Sequence, residues 1–427
     1  MSTARPRVVV IGCGFGGLEA VRGLSRAAVE ITLVDRTNHH LFQPLLYQVA
    51  TAGLSAPAVS APIRHVLRRE MQRGNLTILQ AEAIDVDVAA REVVLAREPQ
   101  APHAVDRLGY DHLIVAAGST NAYFGHADWP VHAPGLKTLA DALAIRARVI
   151  GAFEEAERCV DDAARAPWLT FVVIGGGPTG VEMAGTMTEI ARHTLRGEFR
   201  RSDPSKARVV LIEGADRILG TFVPKLAQRA HEQLGRLGVD VRTGCRVTAI
   251  DATGVTAETR SGDTTTSLRI EARTVIWAAG VAGVPLGRSL AAATGATVDR
   301  GGRLVVEPDL TLPGHPEIAV IGDLAAALSH GKGEPTRPFR YVDYGNLATV
   351  GRKAAIVDLS VPLLGALRFA GLPAWLFWLF AHIYFLIGFR NRLMVMTDWA
   401  WAYVTYERSA RVVAEPDTPV VAPTRPS

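Results

Sequence analysis

At 427 residues the chain is longer than one hydrophobic core comfortably serves, so two or three domains are expected. A net charge of +4 without any long Lys/Arg run argues against nucleic acid as a partner, and three scattered cysteines (Cys13, Cys159, Cys245) leave no CxxC for a zinc site or redox dithiol. Apolar content of 48% is high for a soluble protein, so apolar residues should be concentrated in some region.

The N-terminal MSTARPR runs straight into an apolar stretch with no room for a secretory signal, which with the free cysteines predicts a reducing, cytoplasm-facing nucleotide-binding part. Val8–Ile11 reads as a buried parallel strand. Gly12, Gly14 and Gly17 follow as GxGxxG, with Phe15 and Gly16 inside the block, and then a helix. That order suits a dinucleotide: the first glycine for the turn, the second for close approach of a pyrophosphate, the third for packing helix on strand. The strand 31–36 ends in Asp35, whose carboxylate is placed to accept from an adenosine ribose.

The stretch 38–55 reads as a loop and short helix. Phe42, Leu45, Leu46 and Tyr47 suit core packing, whereas Gln43 and Gln48 are polar groups in an apolar wall and suit the edge of a ring ligand. Residues 76–118 look β-rich, ending at Ala117-Gly118, which are small enough to let a flat ligand approach backbone. An Ala/Arg/Glu-rich stretch from 137 to 166 predicts a surface helix.

The opening pattern then repeats. Residues 168–185 give a second strand, glycine turn (Gly175, Gly177, Gly180) and helix, and the strand from 208 ends in Glu213. An internal repeat on this scale implies two dinucleotide-binding units. Glu213 should favour NADH, since a carboxylate there accepts from a 2′-hydroxyl and repels a 2′-phosphate. Glu182 is expected in the first turn of the second helix, projecting toward a nicotinamide–flavin contact. The strand from 273 closes at Ala279-Gly280, and a late apolar strand closes at Gly322-Asp323, where Asp323 is the candidate ribityl or phosphate contact.

After about residue 360 the chain turns apolar. Between Gly371 and Phe389, nineteen residues carry no formal charge apart from the titratable His382, with arginines and aromatics flanking them. Flat interfacial binding is the preferred reading, a single span or a buried helix the alternatives. The Pro-rich residues 413–427 read as a disordered tail. The fold class expected is α/β, with two Rossmann-like dinucleotide-binding domains and a C-terminal membrane-associating helical segment. The boundaries expected are 1–135 with 285–350, then 136–284, then 351–412.

Taken in order, IGCGFGGLEA, NHHLFQPLLYQVATAGLS, VVIGGGPTGVEMAG, IWAAGV, AVIGDLA and LPAWLFWLFAHIYFLIGFRNRL closely resemble the bacterial type II NADH:quinone oxidoreductases. The resemblance implies FAD in the first unit, NADH in the second and a membrane quinone as electron acceptor without proton pumping. It also implies residence at the cytoplasmic side of the cell inner membrane, against the lipid surface, with a homodimer as a possible assembly. It departs from the family after Asp323, where only fourteen residues precede Pro338 and no AQxxxQ-like helix is legible. That predicts quinone turnover more impaired than flavin reduction, and leaves a membrane-docked flavin- and NADH-binding protein as one alternative. A sulfide:quinone oxidoreductase-like enzyme is the other.

Overall fold

The computed structural model describes residues 5–96, 106–262, 264–327, 345–361, 365–408 and 410–412. The connection after residue 327, where the sequence shows no AQxxxQ-like helix, lies outside the described residues as far as residue 344, as does the tail from 413. The chain divides into two compact units, one of residues 1–42, 60–122 and 280–343, the other of 43–59, 123–279 and 344–427. The boundaries expected from sequence are offset from this division: 43–59, 123–135 and the C-terminal region all fall in the second unit.

The first unit is built on a six-stranded sheet in the order Thr311–Leu312, His315–Val320, His112–Val115, Arg7–Ile11, Glu30–Asp35, Leu76–Gln80. All neighbours are parallel except the first pair. Its strands are continuous apolar runs because both faces are covered: Val9, Ile11, Val34, Leu113, Val115, Ile318 and Val320 belong to one buried cluster. The strand feeding the first glycine turn sits centrally, between the acid-ended strand and the one ending at Val115.

The second unit repeats this plan. Its four parallel strands run Val239–Arg242, Arg208–Ile212, Thr170–Ile174, Thr274–Trp277, and Thr170–Ile174 again lies between the acid-ended strand and the returning one. The predicted surface helix is Leu139–Arg158, started by a capping box in which Thr138 and Asp141 satisfy each other's backbone N–H. Two further three-stranded sheets have no sequence-level counterpart above: Cys245–Asp251, Gly254–Ser261, Thr264–Glu271, and Asn346–Gly351, Ala354–Val361, Gly365–Gly371.

The long apolar segment is two helices, not one. Leu372–Phe385 ends before Gly388, whose φ of +85° turns the chain into Phe389–Thr405. At about 1.5 Å per residue the first reaches roughly 21 Å, short of a hydrocarbon core of about 30 Å. Among the described residues no helix is long and apolar enough to cross a membrane, so the single-span alternative finds no helix to carry it. What the segment does present is an exposed apolar stripe at intervals of four: Leu372, Leu376, Phe380 and Tyr384, joined by Phe385 and Phe389.

Candidate functional site

The two glycine turns match almost atom for atom. Gly12 and Gly175 adopt φ of +93° and +111°, and a side chain at either would meet the backbone of the returning strand's end, Ala116 O at 2.5 Å and Ala278 O at 2.6 Å. Gly17 and Gly180 are tighter still, since a Cβ would lie 1.9 Å from Gly12 O or 1.8 Å from Gly175 O. Gly14 and Gly177 behave oppositely: a Cβ there meets nothing within 4 Å, and each caps its helix without any side-chain hydrogen bond. The first and third glycines are therefore packing residues, while the second leaves helix N–H groups facing open space. Such an end is an anion site by both hydrogen bonding and dipole.

Each closing acid is tied to its own turn. Asp35 Oδ2 accepts from Cys13 N at 2.6 Å and Oδ1 from Thr37 N at 2.7 Å. Glu213 Oε2 accepts from Gly176 N at 2.5 Å and Oε1 from Ala215 N at 2.8 Å. The sequence predicts ribose contacts alone for these carboxylates, yet both oxygens of each already hold backbone N–H groups. Carboxylate oxygens have further lone pairs, so this role leaves room for a ribose contact. Phe15 stands half exposed beside the first turn, edge-on to His40 (5.3 Å) and Phe42 (5.8 Å), and Gly16 packs on Ile321. Exposed Asp323 accepts from Ser119 Oγ at 2.8 Å, one residue after Gly118, which brings the strand end 117–118 and the late GD turn together. Ala279 is partly buried and Gly280 exposed with φ of +79°, at the end of the strand returning in the second unit.

Glu182 departs from expectation. It is the fifth residue of Pro178–Glu189, so it lies in the second helical turn, and it is buried. Its Oε1 accepts from Thr349 N at 3.3 Å, and burial pushes the carboxyl up to about 8, against the smaller pull of that N–H. At neutral pH it is mainly a protonated acid. Seven residues on, Glu189 Oε1 accepts from Arg352 N at 2.6 Å and Oε2 pairs with Arg408 at 3.4 Å. Arg408 also donates to Thr51 O at 3.1 Å.

Glu189, Thr349, Arg352 and Arg408 border a recess within the second unit, lined also by Tyr47, Gln48, Thr186, Trp375, Trp378, Trp399 and Tyr403 among others. Gln48 is part of this wall. Gln43 is not: it is exposed, and its Nε2 donates to Lys137 O at 3.3 Å. Phe42, Leu45 and Leu46 are buried core residues. The recess depends on side chains some 350 positions from Gln48, and only the Trp/Tyr clustering of 375–406 hinted at it. Cys13 and Cys245 are buried and all three cysteines are free, with the Cys13 thiol pushed up to about 12 by burial. A sulfur-carrying mechanism would need a reactive thiolate, which the surroundings of Cys13 oppose.

The pyridine nucleotide-disulphide oxidoreductase family matches residues 6–347, and the NDH2 C-terminal domain matches 344–405. The type II NADH:quinone oxidoreductase Ndh of Mycobacterium tuberculosis is 41% identical, over 96% of this chain and 91% of its own. The chain belongs to the type II NADH:quinone oxidoreductases. NdhA of the same organism is 40% identical over 96% of this chain and 89% of its own. The structure of NDH2 from Plasmodium falciparum in complex with NADH is only 19% identical but shares the fold, with a TM-score of 0.82 over 96% of this chain and all of that one. The alignment with the mycobacterial Ndh spans 438 positions, more than this chain's 427 residues, so that relative carries residues this oxidoreductase lacks. FAD is characteristic of the family, and the open Gly14 end of the first turn fits its pyrophosphate.

Proposed function

We propose that this protein oxidises NADH and passes two electrons to a membrane quinone through FAD, without proton pumping. The observation that carries the reading is the duplicated turn: two glycine-bordered helix ends, each open only at its second glycine and each locked by a terminal acid, in a chain of this family. The first would hold the FAD pyrophosphate at Gly14, with Phe15, Gly16, the 117–118 strand end and Asp323 around it. The second would hold NADH at Gly177, with Glu213 facing the adenosine ribose and Ala279-Gly280 bordering the site. Bound FAD supplies the chemistry, taking electrons in pairs from NADH and delivering them to quinone. The protein's share is to hold and orient the partners and to keep water out.

The recess is assigned to the quinone ring. Its indole and phenol walls suit a flat apolar ligand, and Gln48, Tyr47 and the Thr349 strand offer polar contacts to ring oxygens. Glu182, held protonated by burial next to that strand, is suited to keeping a proton near the acceptor. Quinones dissolve in lipid, and the exposed stripe Leu372, Leu376, Phe380, Tyr384 would seat the enzyme on the cytoplasmic face of the inner membrane. Homodimer formation is checked by the mass of the detergent-solubilised protein.

Purified protein should be yellow, release FAD on denaturation and reduce a short-chain quinone with NADH far faster than with NADPH. Colourless protein that FAD cannot reconstitute overturns the assignment. The short connection after Asp323 in the sequence favours one second reading, a flavin- and NADH-binding protein with impaired quinone turnover. Stopped-flow reduction by NADH that outpaces steady-state quinone turnover by about a hundredfold or more would support it.

A further inference from the structure

The recess contains a run of hydrogen bonds whose direction follows from donor chemistry alone. Trp399 Nε1 donates to Gln48 Oε1 at 2.7 Å, and Gln48 Nε2 donates to Tyr47 Oη at 3.0 Å. An indole N–H can only donate. Turning the Gln48 amide over would set its NH₂ against the indole N–H, so Trp399 dictates that the oxygen faces the indole and the NH₂ faces the phenol. The Tyr47 oxygen therefore accepts, and its own proton is left to be given elsewhere. Among the described residues that hydroxyl has no acceptor, although Tyr47 is almost entirely buried and borders the recess. Burial, helped by Glu182 and Glu189 nearby, pushes the phenol well above its ordinary range, so it stays protonated at any working pH.

An aimed donor without an acceptor, in a buried recess, is half of a binding contact. We propose that Trp399 positions Gln48 so that the Tyr47 hydroxyl is presented as a hydrogen-bond donor to a carbonyl oxygen of the quinone. This rests on the recess being the quinone seat and adds the residue that grips the ring and the residue that sets its direction. Reduction places negative charge on the quinone oxygens, and a donor fixed beforehand stabilises that charge without reorganising. The proton stays on Tyr47 throughout, so the contact requires no ionisation of the phenol. Trp399 never meets the substrate; it acts through Gln48.

The test is a double-mutant cycle on full-length holoprotein, read as kcat/KM for a short-chain quinone divided by the rate with ferricyanide, so that flavin content cancels. Tyr47→Phe should lower the ratio by about ten- to a hundredfold, a loss on the scale of removing one transition-state donor. Trp399→Phe, which keeps an aromatic ring in the wall, should lower it by about three- to tenfold. The double variant should fall no lower than Tyr47→Phe alone, because Trp399 has nothing to orient once the hydroxyl is gone. Additive losses, as two independent packing defects would give, overturn the proposal. If Trp399→Phe fails to fold, Gln48→Met breaks the same run one bond later and takes its place in the cycle. Leu379→Trp, which fills the recess from its wall, separates the two levels of inference. If it leaves quinone turnover intact, the quinone binds elsewhere and the seat itself is wrong. If it blocks turnover while Tyr47→Phe changes nothing, the seat stands and only the donor assignment falls.

Discussion

Replacing Glu182 by Gln should stabilise the protein, increasingly so as pH rises. The folded carboxyl titrates near 8 where an ordinary one titrates near 4.5, with burial as the dominant cause. The folded state thus holds this proton more tightly than the unfolded one, and stability from this group is lost as pH climbs from 4.5 through 8 and is level above. Between those limits each step of one in pH costs about 1.4 kcal/mol, so the loss grows to roughly 3 kcal/mol at pH 7 and roughly 4 kcal/mol at pH 8. Glutamine escapes it, because its amide oxygen can still accept from Thr349 N and it carries no charge to desolvate. Thermal midpoints of the two holoproteins should coincide near pH 4.5 and separate by roughly 5–10 °C at pH 8, the variant being the more stable. A gap that does not change with pH, or a variant less stable at pH 8, refutes the reasoning. If Glu182 also serves turnover, quinone reduction by the same variant should fall while its stability rises.

Three further outcomes follow from the geometry. Gly17→Ala forces a methyl group to within 1.9 Å of Gly12 O and should yield protein without bound FAD, measured by the 450 nm to 280 nm absorbance ratio, while NADH binding by calorimetry persists. Glu213→Gln trades an acceptor for a donor facing a backbone N–H and should narrow the preference for NADH over NADPH, while lowering the thermal midpoint by an amount consistent with about 1.5–3 kcal/mol; an unchanged midpoint would show that the bonds to Gly176 and Ala215 carry no weight. Substituting Ser for Phe380, Phe385 and Phe389 together removes about 1.5 kcal/mol or more each of apolar burial and should abolish vesicle flotation, whereas 1 M salt should not release the unaltered protein, because screening touches only its arginines.

Local patterns made much of this fold legible. The strand, glycine turn, helix, acid order recurs with both acids in place because every step of it is a short-range requirement. The helix 139–158 was likewise visible in the composition of 137–166. What escaped was whatever depends on distant packing. Glu182 looks from sequence like a first-turn acid projecting toward a nicotinamide–flavin contact, and only the strand containing Thr349 makes it a buried one. Gln48 and Gln43 look equivalent in the sequence, but one meets Trp399 and the other meets solvent and Lys137. The apolar run 371–389 reads as one segment because hydropathy ignores the left-handed turn that Gly388 supplies.

The strand Asn346–Gly351 joins the two family matches, which overlap at residues 344–347. Two acids on one helix face, Glu182 and Glu189, receive the N–H groups of Thr349 and Arg352, and a side chain at Gly185 between them would lie 3.1 Å from Val350 O. A graft that exchanged the C-terminal domain between relatives at its nominal border would carry the donors across and leave the acceptors behind. The transplantable piece is therefore larger than the named domain: it includes the helix Pro178–Glu189, some 160 residues upstream, and chimeras cut at 344 should fail unless both partners keep the same spacing of acids along that helix.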